Sequence, residues 1–538
     1  MDSIMMKQAV EQGKTYLGIE LGSTRIKAML IDGGHRVVAA GGYDWENSLV
    51  DGIWTYDMKQ VWEGLQACYR ELAGQVEQLY GTELKTIGAI GISAMMHGYL
   101  PFDSEGRQLA AFRTWRNTNT GLAAGELSGL FDFNIPHRWS VSHFYQSILE
   151  GQEHVEKVAF LTTLAGYVHW KLTGRKVLGV GDASGMFPID SETNDFDSVM
   201  LEKFDKAAAE KANVKPLKEL LPKVLSAGED AGWLTVEGAM LLDPTGTLGE
   251  GVPMCPPEGD AGTGMTATNS VLKRTGNVSA GTSIFAMVVL DRPLSRPYPQ
   301  IDMVTTPDGK PVAMVHCNNC SSDIDAWAEI FREFASEAGL DMSRKQVLDM
   351  LFFKALEGEA DCGGLISYNF FSGEPIAEIE EGRPMFIRYP DSRFTLANFM
   401  RAHLQSALAT LKTGLDILRS EDVIIERMYG HGGYFKAKGV GQRLMSAAIE
   451  APVYVMETAG EGGAWGAALL AAYMVKKLPG QSLGDYLSKT VFALSEGEPV
   501  CASPEDSAGF DRFIAEFVRA LPVQRKAAEL MKGGKQDA

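Results

Sequence analysis

The pattern of apolar and polar positions predicts a sheet at the start of the chain. Residues 16–32 have the alternation of two β-strands around the polar turn Gly22-Ser23-Thr24, and a third strand is predicted at residues 37–39. A helix follows, because apolar residues recur at helical spacing at Val61, Leu65, Tyr69, Leu72, Val76 and Leu79. Residues 87–93 then predict a buried strand that runs into Met95-Met96-His97-Gly98. This order is typical of a mixed α/β domain.

The same order begins again in the second half of the chain. Residues 276–280 predict a strand that enters the small polar turn Gly281-Thr282-Ser283, and residues 284–290 predict the returning strand. Two strand–turn–strand units therefore indicate two related halves. We place the boundary near residue 268, which gives domains of residues 1–268 and 269–538.

The C-terminal third alternates helices, strands and glycine-rich loops. A helix is predicted near residues 399–418, and a strand over residues 423–429 enters Gly430-His431-Gly432-Gly433. After a helix through Leu444 and Ile449, a strand over residues 453–456 meets the glycines of residues 460–466, and an apolar helix follows. The repeat predicts that both glycine loops lie on one edge of a sheet, where α/β proteins usually bind ligands.

Composition and charge narrow the class of protein. A chain of 538 residues with 45% apolar and 22% charged residues is too long for one hydrophobic core and is typical of a soluble globular enzyme. No run reaches the length of a membrane span, and the start of the sequence lacks the apolar core of a signal peptide, so we expect a cytoplasmic protein. The net charge of −19 argues against nucleic acid and anionic membranes as partners.

Cys317 and Cys320 form a CxxC pair directly after His316. A zinc or redox site would need a second pair of ligands or a thioredoxin-like setting, and the sequence shows neither. A structural or substrate-lining role is therefore favoured over zinc binding.

The four turns rich in glycine and small residues are the main candidates for binding chemistry. Glycine lets backbone N–H groups approach a phosphate, and the hydroxyls of Ser23, Thr24, Thr282 and Ser283 can add donors. One such turn would indicate tight geometry alone, whereas four at strand ends in two halves favour a nucleotide. A Walker loop and a dinucleotide fingerprint are excluded, because the only Gly-Lys-Thr precedes the first strand and the third glycine of GxGxxG is missing from both late loops.

Asp260 is the strongest candidate for catalysis. It lies in Glu258-Gly259-Asp260-Ala261-Gly262, where a carboxylate at a strand end can accept a proton from a substrate hydroxyl. A turn aspartate is the alternative interpretation. His97 has two interpretations as well, a buried core histidine or a substrate contact.

At these residues the sequence resembles the FGGY carbohydrate kinases of the actin-like ATPase superfamily, and most of all the xylulokinase-type pentulose kinases. The resemblance follows the family's order from Gly18 to about Tyr473. The strings that carry it are Gly18–Lys27, Met95–Gly98, Trp115–Asn117, Gly181–Gly185, Gly259-Asp260, Ser279–Ser283, Gly430–Gly433 and Gly460–Gly466. Each string is weak alone, but together and in this order they are specific.

The resemblance implies two ribonuclease-H-like domains around a cleft, an N-terminal one for sugar and a C-terminal one for ATP. It implies ATP-dependent phosphorylation of a small sugar, with a ketopentose such as D-xylulose as the expected acceptor, Mg²⁺ as the metal and a homodimer as the common assembly. Asp260 would be the catalytic base, and Glu20 and Asp260 would lie near the metal. Sugar contacts are expected from Met96, His97, Trp115, Asn117, Glu258 and Asp260, and nucleotide contacts from Gly22, Ser23, Thr24, Lys27, Gly281, Thr282, Gly432, Gly433, Gly462 and Gly463.

Several residues depart from the family pattern and leave the acceptor open. The metal-side Asp of the first loop is Glu20, the family's Gln before Met-His-Gly is Met95, and the Asp of its Trp-x-Asp motif is Asn117. Arg116 could approach an anionic substrate such as an aldonate or form a surface ion pair. A sugar-independent ATPase or ATP-gated sensor on the same fold is the alternative function.

Overall fold

Two twisted sheets, one from each half of the chain, organise the molecule. A computed structural model describes residues 3–456, 462–493 and 497–531. The first sheet has the strand order Glu258–Gly259, Ala89–Ala94, Tyr16–Leu21, Arg25–Ile31 and Val37–Asp44. The second sheet has the order Asp302–Thr305, Pro311–Cys317, Ile284–Val289, Thr275–Ala280, Arg427–His431 and Val453–Tyr454.

The two sheets share one topology. In each, a central strand (Tyr16–Leu21 or Thr275–Ala280) pairs antiparallel with the strand that follows its polar turn. On its other side it pairs parallel with a later strand, Ala89–Ala94 in the first sheet and Arg427–His431 in the second. Parallel strands end at the same edge of a sheet, so the polar turns and the later strand ends meet there. This arrangement confirms the α/β fold with two ribonuclease-H-like domains.

Helices cover both sheets, and short strands form small additional ribbons. The helices are Ser3–Glu11, Met58–Tyr80, Gly121–Phe131, Ser140–Leu149, Leu164–Thr173, Val180–Ala183, Ser198–Ala209, Leu217–Leu220, Val236–Leu242, Asp260–Ala267, Ser322–Glu337, Arg344–Ala355, Leu396–Ser420, Val440–Ile449, Gly462–Lys476, Leu483–Tyr486 and Pro504–Leu530. The short strands are Ser48–Val50, Ile53–Thr55, Gly98–Phe102, Arg113–Thr114, Phe160–Thr162, Val177–Gly179, Ile189–Asp190, Asp195–Phe196, Lys223–Leu225, Leu365–Tyr368 and Met385–Arg388. Within the described ranges, no helix has the length and apolar character needed to span a bilayer.

The periodic helix predicted from Val61 to Leu79 is confirmed as Met58–Tyr80. Its N-terminus is capped by Asp57, whose carboxylate accepts a hydrogen bond from the Lys59 N–H at 2.9 Å. It ends at Gly81, which adopts the left-handed conformation (φ 63°) that favours glycine. The apolar face of this helix is buried against the first sheet.

A helix late in the chain packs on the sheet made by the start of the chain. We call Gly462–Lys476 the crossing helix; it lies against Tyr16–Leu21 and Ala89–Ala94 and against the helix Asp260–Ala267, which we call the base helix. The approach is so close that a Cβ on Gly18 would lie 1.9 Å from the Ala464 carbonyl oxygen. One of the hydrophobic cores therefore contains residues of both halves, including Met265, Met287 and Leu469.

The structure corrects three boundaries. The strand predicted over residues 423–429 is Arg427–His431, so two residues of the predicted glycine loop continue the ladder beside Thr275–Ala280. The strand predicted over 453–456 is only Val453–Tyr454. Gly462 and Gly463 begin the crossing helix instead of forming a loop, while residues 460 and 461 lie outside the described residues.

The predicted boundary near residue 268 lies between the base helix, which ends at Ala267, and the strand that begins at Thr275. It stays a prediction.

Candidate active site

The turn after the first strand is held in place by two aromatic side chains. The indole Nε1 of Trp45 donates to the Gly22 carbonyl at 2.7 Å, and the Tyr56 hydroxyl donates to the Ser23 carbonyl at 2.6 Å. The rings of Trp45 and Tyr56 stack with centroids 4.1 Å apart. With their carbonyls fixed from behind, Ser23 and Thr24 are exposed on the other side, where their hydroxyls and N–H groups can meet a ligand.

Glu20 and Lys27 face each other one residue pair before this turn. They are direct partners in the antiparallel ladder between the first two strands. Burial raises the pKa of the Glu20 carboxyl; the Lys27 charge lowers it and the Asp260 charge raises it. The backbone N–H groups of Gly463 and Ala464, at the start of the crossing helix, also act on this carboxylate and lower its pKa.

Asp260 is the first residue of the base helix, and its side chain is exposed in the cleft between the halves. Its Oδ1 accepts hydrogen bonds from the N–H groups of Ala261 at 2.9 Å and Met96 at 3.3 Å. Desolvation by the surrounding protein raises the pKa of this carboxyl, while those N–H groups and the Arg138 charge lower it. A carboxylate oriented in this way, with its pKa raised by burial, can act as a general base.

Glu258 lies behind this base and does not reach the cleft. Its side chain is 1% exposed, and its carboxylate accepts hydrogen bonds from the Gly181 and Gly259 N–H groups, both at 3.2 Å. A Cβ on Gly179 or Gly181 would lie within 2.4 Å of this carboxyl, so those glycines make its pocket. Burial raises the pKa of Glu258 to about 8.

Asp182 is a second buried carboxyl in the same place. It is fully buried; its Oδ2 accepts a hydrogen bond from the Thr163 hydroxyl at 2.6 Å, and its Oδ1 has no partner within the described part of the chain. Burial, with the Glu258 and Asp260 charges, raises the pKa of Asp182 well above its usual range. The orientation of Glu258 therefore does not favour the predicted sugar contact. Its carboxylate instead holds the turn of residues 179–182 behind the base.

The residues expected to contact sugar divide into two groups. Met96 and His97 are buried next to Asp260, and the His97 Nδ1 has no hydrogen-bond partner among the residues described. Burial and the Arg138 charge lower the pKa of His97 well below its usual value, so the ring is neutral near pH 7. Trp115 is 39% exposed and can offer a ring face.

Asn117 has its amide engaged elsewhere. Its Oδ1 accepts from the Trp54 N–H at 2.9 Å, and its Nδ2 donates to the carbonyls of Trp54 at 2.8 Å and Thr114 at 3.0 Å. It therefore fixes the Trp54 hairpin, and its sugar contact stays a prediction without support from the geometry. Arg116 lies 3.6 Å over the Trp54 ring and donates to Asn47 at 2.9 Å.

The turn of the second half is held by backbone alone. The Cys320 N–H donates to the Thr282 carbonyl at 2.9 Å, and the Ser321 N–H donates to the Gly281 carbonyl at 3.1 Å. A Cβ on Gly281 would meet nothing within 4 Å, which leaves room for a ligand against the backbone. Thr282 is exposed beside it.

A groove of about 460 Å³ opens next to this second turn. Its walls include Ile324 and Phe352, and its rim includes Ser321, Arg344, Gly433 and Lys436. Gly432 has φ 99°, and any side chain there would strike the Ala280 backbone, so the chain bends sharply at the groove. The size suits a nucleoside-sized ligand.

Gly462 and Gly463 lie away from this groove, beside Glu20. A Cβ on Gly463 would lie 2.5 Å from the Glu20 Oε1. The structure thus gathers Glu20, Lys27, Gly22–Thr24, Asp260 and Gly462–Gly463 on the first half, with Gly281–Thr282 and Gly432–Gly433 on the second.

The Glu20–Asp260 pair suits a divalent cation. Each carboxylate is a hard oxygen ligand, and their mutual repulsion is what a bound cation would relieve. Within the described residues no group of three or more His, Cys, Asp and Glu side chains could hold a metal alone. Mg²⁺ usually takes one or two carboxylates and fills its shell with water and phosphate oxygens, so this pair would be a sufficient protein ligand set for it.

The CxxC pair is buried: Cys317 is 0% and Cys320 1% exposed. Burial raises the pKa of the Cys320 thiol to about 12, which disfavours the thiolate that zinc binding needs. The geometry fits the structural role.

Two residues of the cleft were not found from the sequence. Arg138 and Asp302 form an ion pair between the halves, and the Arg138 charge lowers the pKa of Asp260 and of His97. Neither residue belongs to a motif, and they are far apart in the chain, so no spacing signal could have identified them.

Family models match both halves of the chain. The N-terminal domain of the FGGY family of carbohydrate kinases matches residues 15–134, and the C-terminal domain of that family matches residues 276–475. Xylulose kinase of Haemophilus influenzae is 24% identical over 503 residues, which cover 89% of this chain and 94% of that protein.

Solved structures share the fold at lower identity. Ligand-bound xylulose kinase from Lactobacillus acidophilus superposes with a TM-score of 0.77 at 16% identity and covers 96% of this chain and 100% of its own. Gluconate kinase from the same organism also has a TM-score of 0.77 at 16% identity, with 96% and 99% covered. The fold is therefore common to relatives whose names carry different acceptors.

Proposed function

The chain belongs to the FGGY family of carbohydrate kinases and is an ATP-dependent sugar kinase, and we propose that its acceptor is a ketopentose such as D-xylulose. The observation that carries the proposal is the exposed, oriented carboxylate of Asp260 between the two polar turns. The name of the Haemophilus influenzae relative supports the choice of acceptor.

Asp260 acts as the general base in this proposal. Its carboxylate accepts the proton of a primary hydroxyl of the sugar while that oxygen bonds to the γ-phosphorus of ATP. The bond from the γ-phosphorus to the β–γ bridging oxygen breaks, and ADP leaves. The two N–H groups on Asp260 Oδ1 orient the carboxylate and leave Oδ2 for the hydroxyl.

The two turns hold the phosphates from opposite sides. The N–H groups and hydroxyls of Ser23 and Thr24 face the transferring phosphoryl group, with the Lys27 cation nearby, and Gly281 and Thr282 face it from the second half. The groove at Gly433 takes the nucleoside. Glu20 and Asp260 would hold Mg²⁺, which, when bound, neutralises charge on the phosphate oxygens.

The acceptor lies against Met96, His97 and Trp115 on the first half. His97, which is neutral and packs against Gly185, shapes the wall of this site with its ring. Closure of the halves would exclude water, the competing acceptor. The proposed setting is the cytoplasm, which the free cysteines support because a reducing compartment leaves thiols unpaired. The homodimer stays a prediction.

The test is ADP release with Mg-ATP against a panel of ketoses, polyols and aldonates. One ketopentose should stimulate the wild type strongly, and Asp260→Asn should lower kcat by about 10²- to 10⁴-fold. Asp485→Asn, whose carboxylate is about half exposed and pairs with Lys489, is the control and should not change the rate. A rate equal with and without every acceptor, and unchanged in Asp260→Asn, would contradict the proposal and favour the sugar-independent ATPase.

A further inference from the structure

The edge strand Asp302–Thr305 of the second sheet packs against the first half beside the acceptor site. The Thr305 N–H donates to the Ser184 hydroxyl at 3.1 Å, and the Thr305 hydroxyl donates to the Val180 carbonyl at 3.0 Å. The Ala227 N–H donates to the Pro307 carbonyl at 2.8 Å. The hairpin that contains Asp302–Thr305 is therefore fixed against the turn that encloses Glu258.

Asp302 begins this hairpin and forms an ion pair with Arg138 of the first half. The side chains of Arg138 and Asp302 are only 23% and 16% exposed. Asn134 supports the pair by donating to Asp302 at 3.2 Å and to the Ile301 carbonyl at 2.9 Å.

The Arg138 guanidinium has donors to spare. Asp302 is the hydrogen-bond partner of Arg138 among the described residues, and it engages only one of the guanidinium nitrogens. The other guanidinium nitrogens are not among the enclosed atoms without a hydrogen-bond partner. They therefore reach solvent. Arginine presents five N–H groups in a planar fork, so most of this fork is available to a ligand.

The charge of Arg138 is felt by the groups around the acceptor. It lowers the pKa of Asp260, of His97 and of His316, which lies on the strand next to Asp302–Thr305. His97, which is 8% exposed, packs against Gly185, the residue directly after Ser184. The hairpin that carries Asp302 is thus joined, through Ser184 and Gly185, to Met96 and His97 beside the base.

We propose that Arg138 and Asp302 form a specificity clamp that binds hydroxyl groups of the acceptor and selects neutral polyhydroxy compounds over sugar acids. This inference rests on the proposed function. Arg138 donates to one hydroxyl and Asp302 accepts from a neighbouring one, a combination that a vicinal diol satisfies. A carboxylate would instead be repelled by Asp302 and Asp260, two anions against the single cation of Arg138.

The clamp takes one residue from each half of the chain. Acceptor binding then depends on the relative position of the two halves, although the other residues expected to contact sugar lie on the first half. The ketopentoses and pentitols meet this chemistry, and pentonates do not.

The test compares kcat/KM for the best ketopentose with kcat/KM for the pentonate of the same length. Asp302→Asn removes the negative charge and leaves Arg138, so the pentonate-to-ketopentose ratio should rise at least about tenfold, equivalent to about 1.4 kcal/mol. Arg138→Met should raise KM for the ketopentose about tenfold, leave KM for ATP unchanged, and give no activity with the pentonate. Arg138→Lys keeps the charge without the fork and should fall between.

Asn134→Ala is the matched control, because it loosens the same contact between the halves but keeps both charges. Its acceptor ratio should equal that of the wild type. Acceptor affinity can also be measured without turnover, by calorimetry on double variants that combine Asp260→Asn with each clamp substitution. These variants should show the same losses in acceptor affinity.

An Asp302→Asn ratio no different from that of Asn134→Ala would overturn the inference, as would equal changes in KM for ATP and for the acceptor. If Arg138→Met fails to fold, Arg138→Lys and Asp302→Asn still decide. A wild type that no acceptor stimulates would refute the proposed function itself. If the wild type phosphorylates a ketopentose but Asp302→Asn leaves the acceptor ratio unchanged, the clamp alone is refuted.

Discussion

The two sheets have the same topology, yet their corresponding edges carry different chemistry. In the first sheet, Glu20 lies beside Lys27 on one neighbouring strand and Ser93 on the other. The corresponding position in the second sheet is Ser279, beside Phe285 and His431. At these matched positions the charged side chains therefore lie on the first sheet, near Asp260, and the second sheet has neutral side chains. The same fold thus places the reacting carboxylates on the first half and a neutral turn that can bind phosphate on the second.

The two turns also differ in how they are held. Trp45 and Tyr56 hold the first through long-range side-chain hydrogen bonds, whereas the segment 320–321 holds the second through its backbone. Single substitutions can remove the first kind of support but not the second. The first turn should accordingly be the more sensitive to mutation.

Of the paired changes at the two sheets, Glu20→Gln should have the largest effect, because it removes one of two carboxylates at the charged edge. We expect kcat to fall about 100- to 1000-fold, comparable to losing one charged group at a phosphoryl-transfer site. Ser279→Ala, at the matching position of the second sheet, should change kcat by less than about threefold. Steady-state kinetics at saturating ATP and acceptor measure both. Similar losses in the two variants would break the comparison.

Two glycine substitutions separate packing from ligand space. Gly463→Ala would place a Cβ 2.5 Å from the Glu20 Oε1, so unfolding free energy should fall by about 1–3 kcal/mol. Gly281→Ala meets no atom within 4 Å and should leave the unfolding free energy within about 0.5 kcal/mol of the wild type.

The same Gly281→Ala should nevertheless raise KM for ATP about tenfold, since the methyl group takes space a phosphate would use. Thermal unfolding and nucleotide kinetics together test this. A stable variant with unchanged KM for ATP would show that Gly281 does not approach the nucleotide.

Much of the fold could be predicted because strong local patterns carry it. The strands on both sides of Gly22–Thr24 and Gly281–Ser283, and the helix after the first sheet, follow from alternation and helical spacing. The placement of the crossing helix could not be predicted. Its small residues indicate close packing but do not identify the element against which it packs. Contact between Ala464 and Gly18 joins opposite ends of the chain, which no local pattern encodes.

In the candidate site, strand ends were predictable and side-chain directions were not. Asp260 was expected at a strand end and lies there. The two late glycine segments were expected at one edge of a sheet, but Gly432 lies against Ala280 of the second sheet and Gly463 against Glu20 of the first. Glu258 and Asn117 were expected to face the sugar, but each turns toward backbone N–H groups that only the tertiary fold provides. The pairing of Arg138 with Asp302 likewise exists only once the halves meet.

The buried glutamates Glu258 of the first half and Glu374 of the second have titrations that can sharpen the comparison. Burial raises the pKa of Glu258 to about 8 and that of Glu374 to about 7, from an ordinary 4.5. Such a group stays neutral in the folded state while the unfolded state ionises, so its contribution to stability is intact below pH 4.5. That contribution is then lost at up to ~1.4 kcal/mol per pH unit as pH rises to the folded pKa.

Glu258→Gln should therefore gain stability relative to the wild type between pH 5 and 8 and then level off. Glu374→Gln should level off near pH 7. Both substitutions carry a constant cost from the changed hydrogen bonds, so only the slope of the difference in Tm with pH is diagnostic. The titratable groups that interact with Glu258 are Asp182, Cys255 and Asp308, and all three are present in both proteins compared. A flat difference would show that Glu258 is ionised when folded.

Tyr56→Phe should have the smallest effect, and a specific one. It removes the hydrogen bond to the Ser23 carbonyl and should cost about 0.5–1.5 kcal/mol of stability, because that carbonyl loses its side-chain partner. Tyr368→Phe removes a comparable bond, from a hydroxyl to the Phe517 carbonyl at 2.6 Å, in the core of the second half. Both variants should lose similar stability, but only Tyr56→Phe should raise KM for ATP, by about two- to fivefold, since only it loosens a turn that faces the phosphates. If both variants raise KM for ATP equally, general loss of stability explains the effect, and the first turn does not depend on its aromatic support.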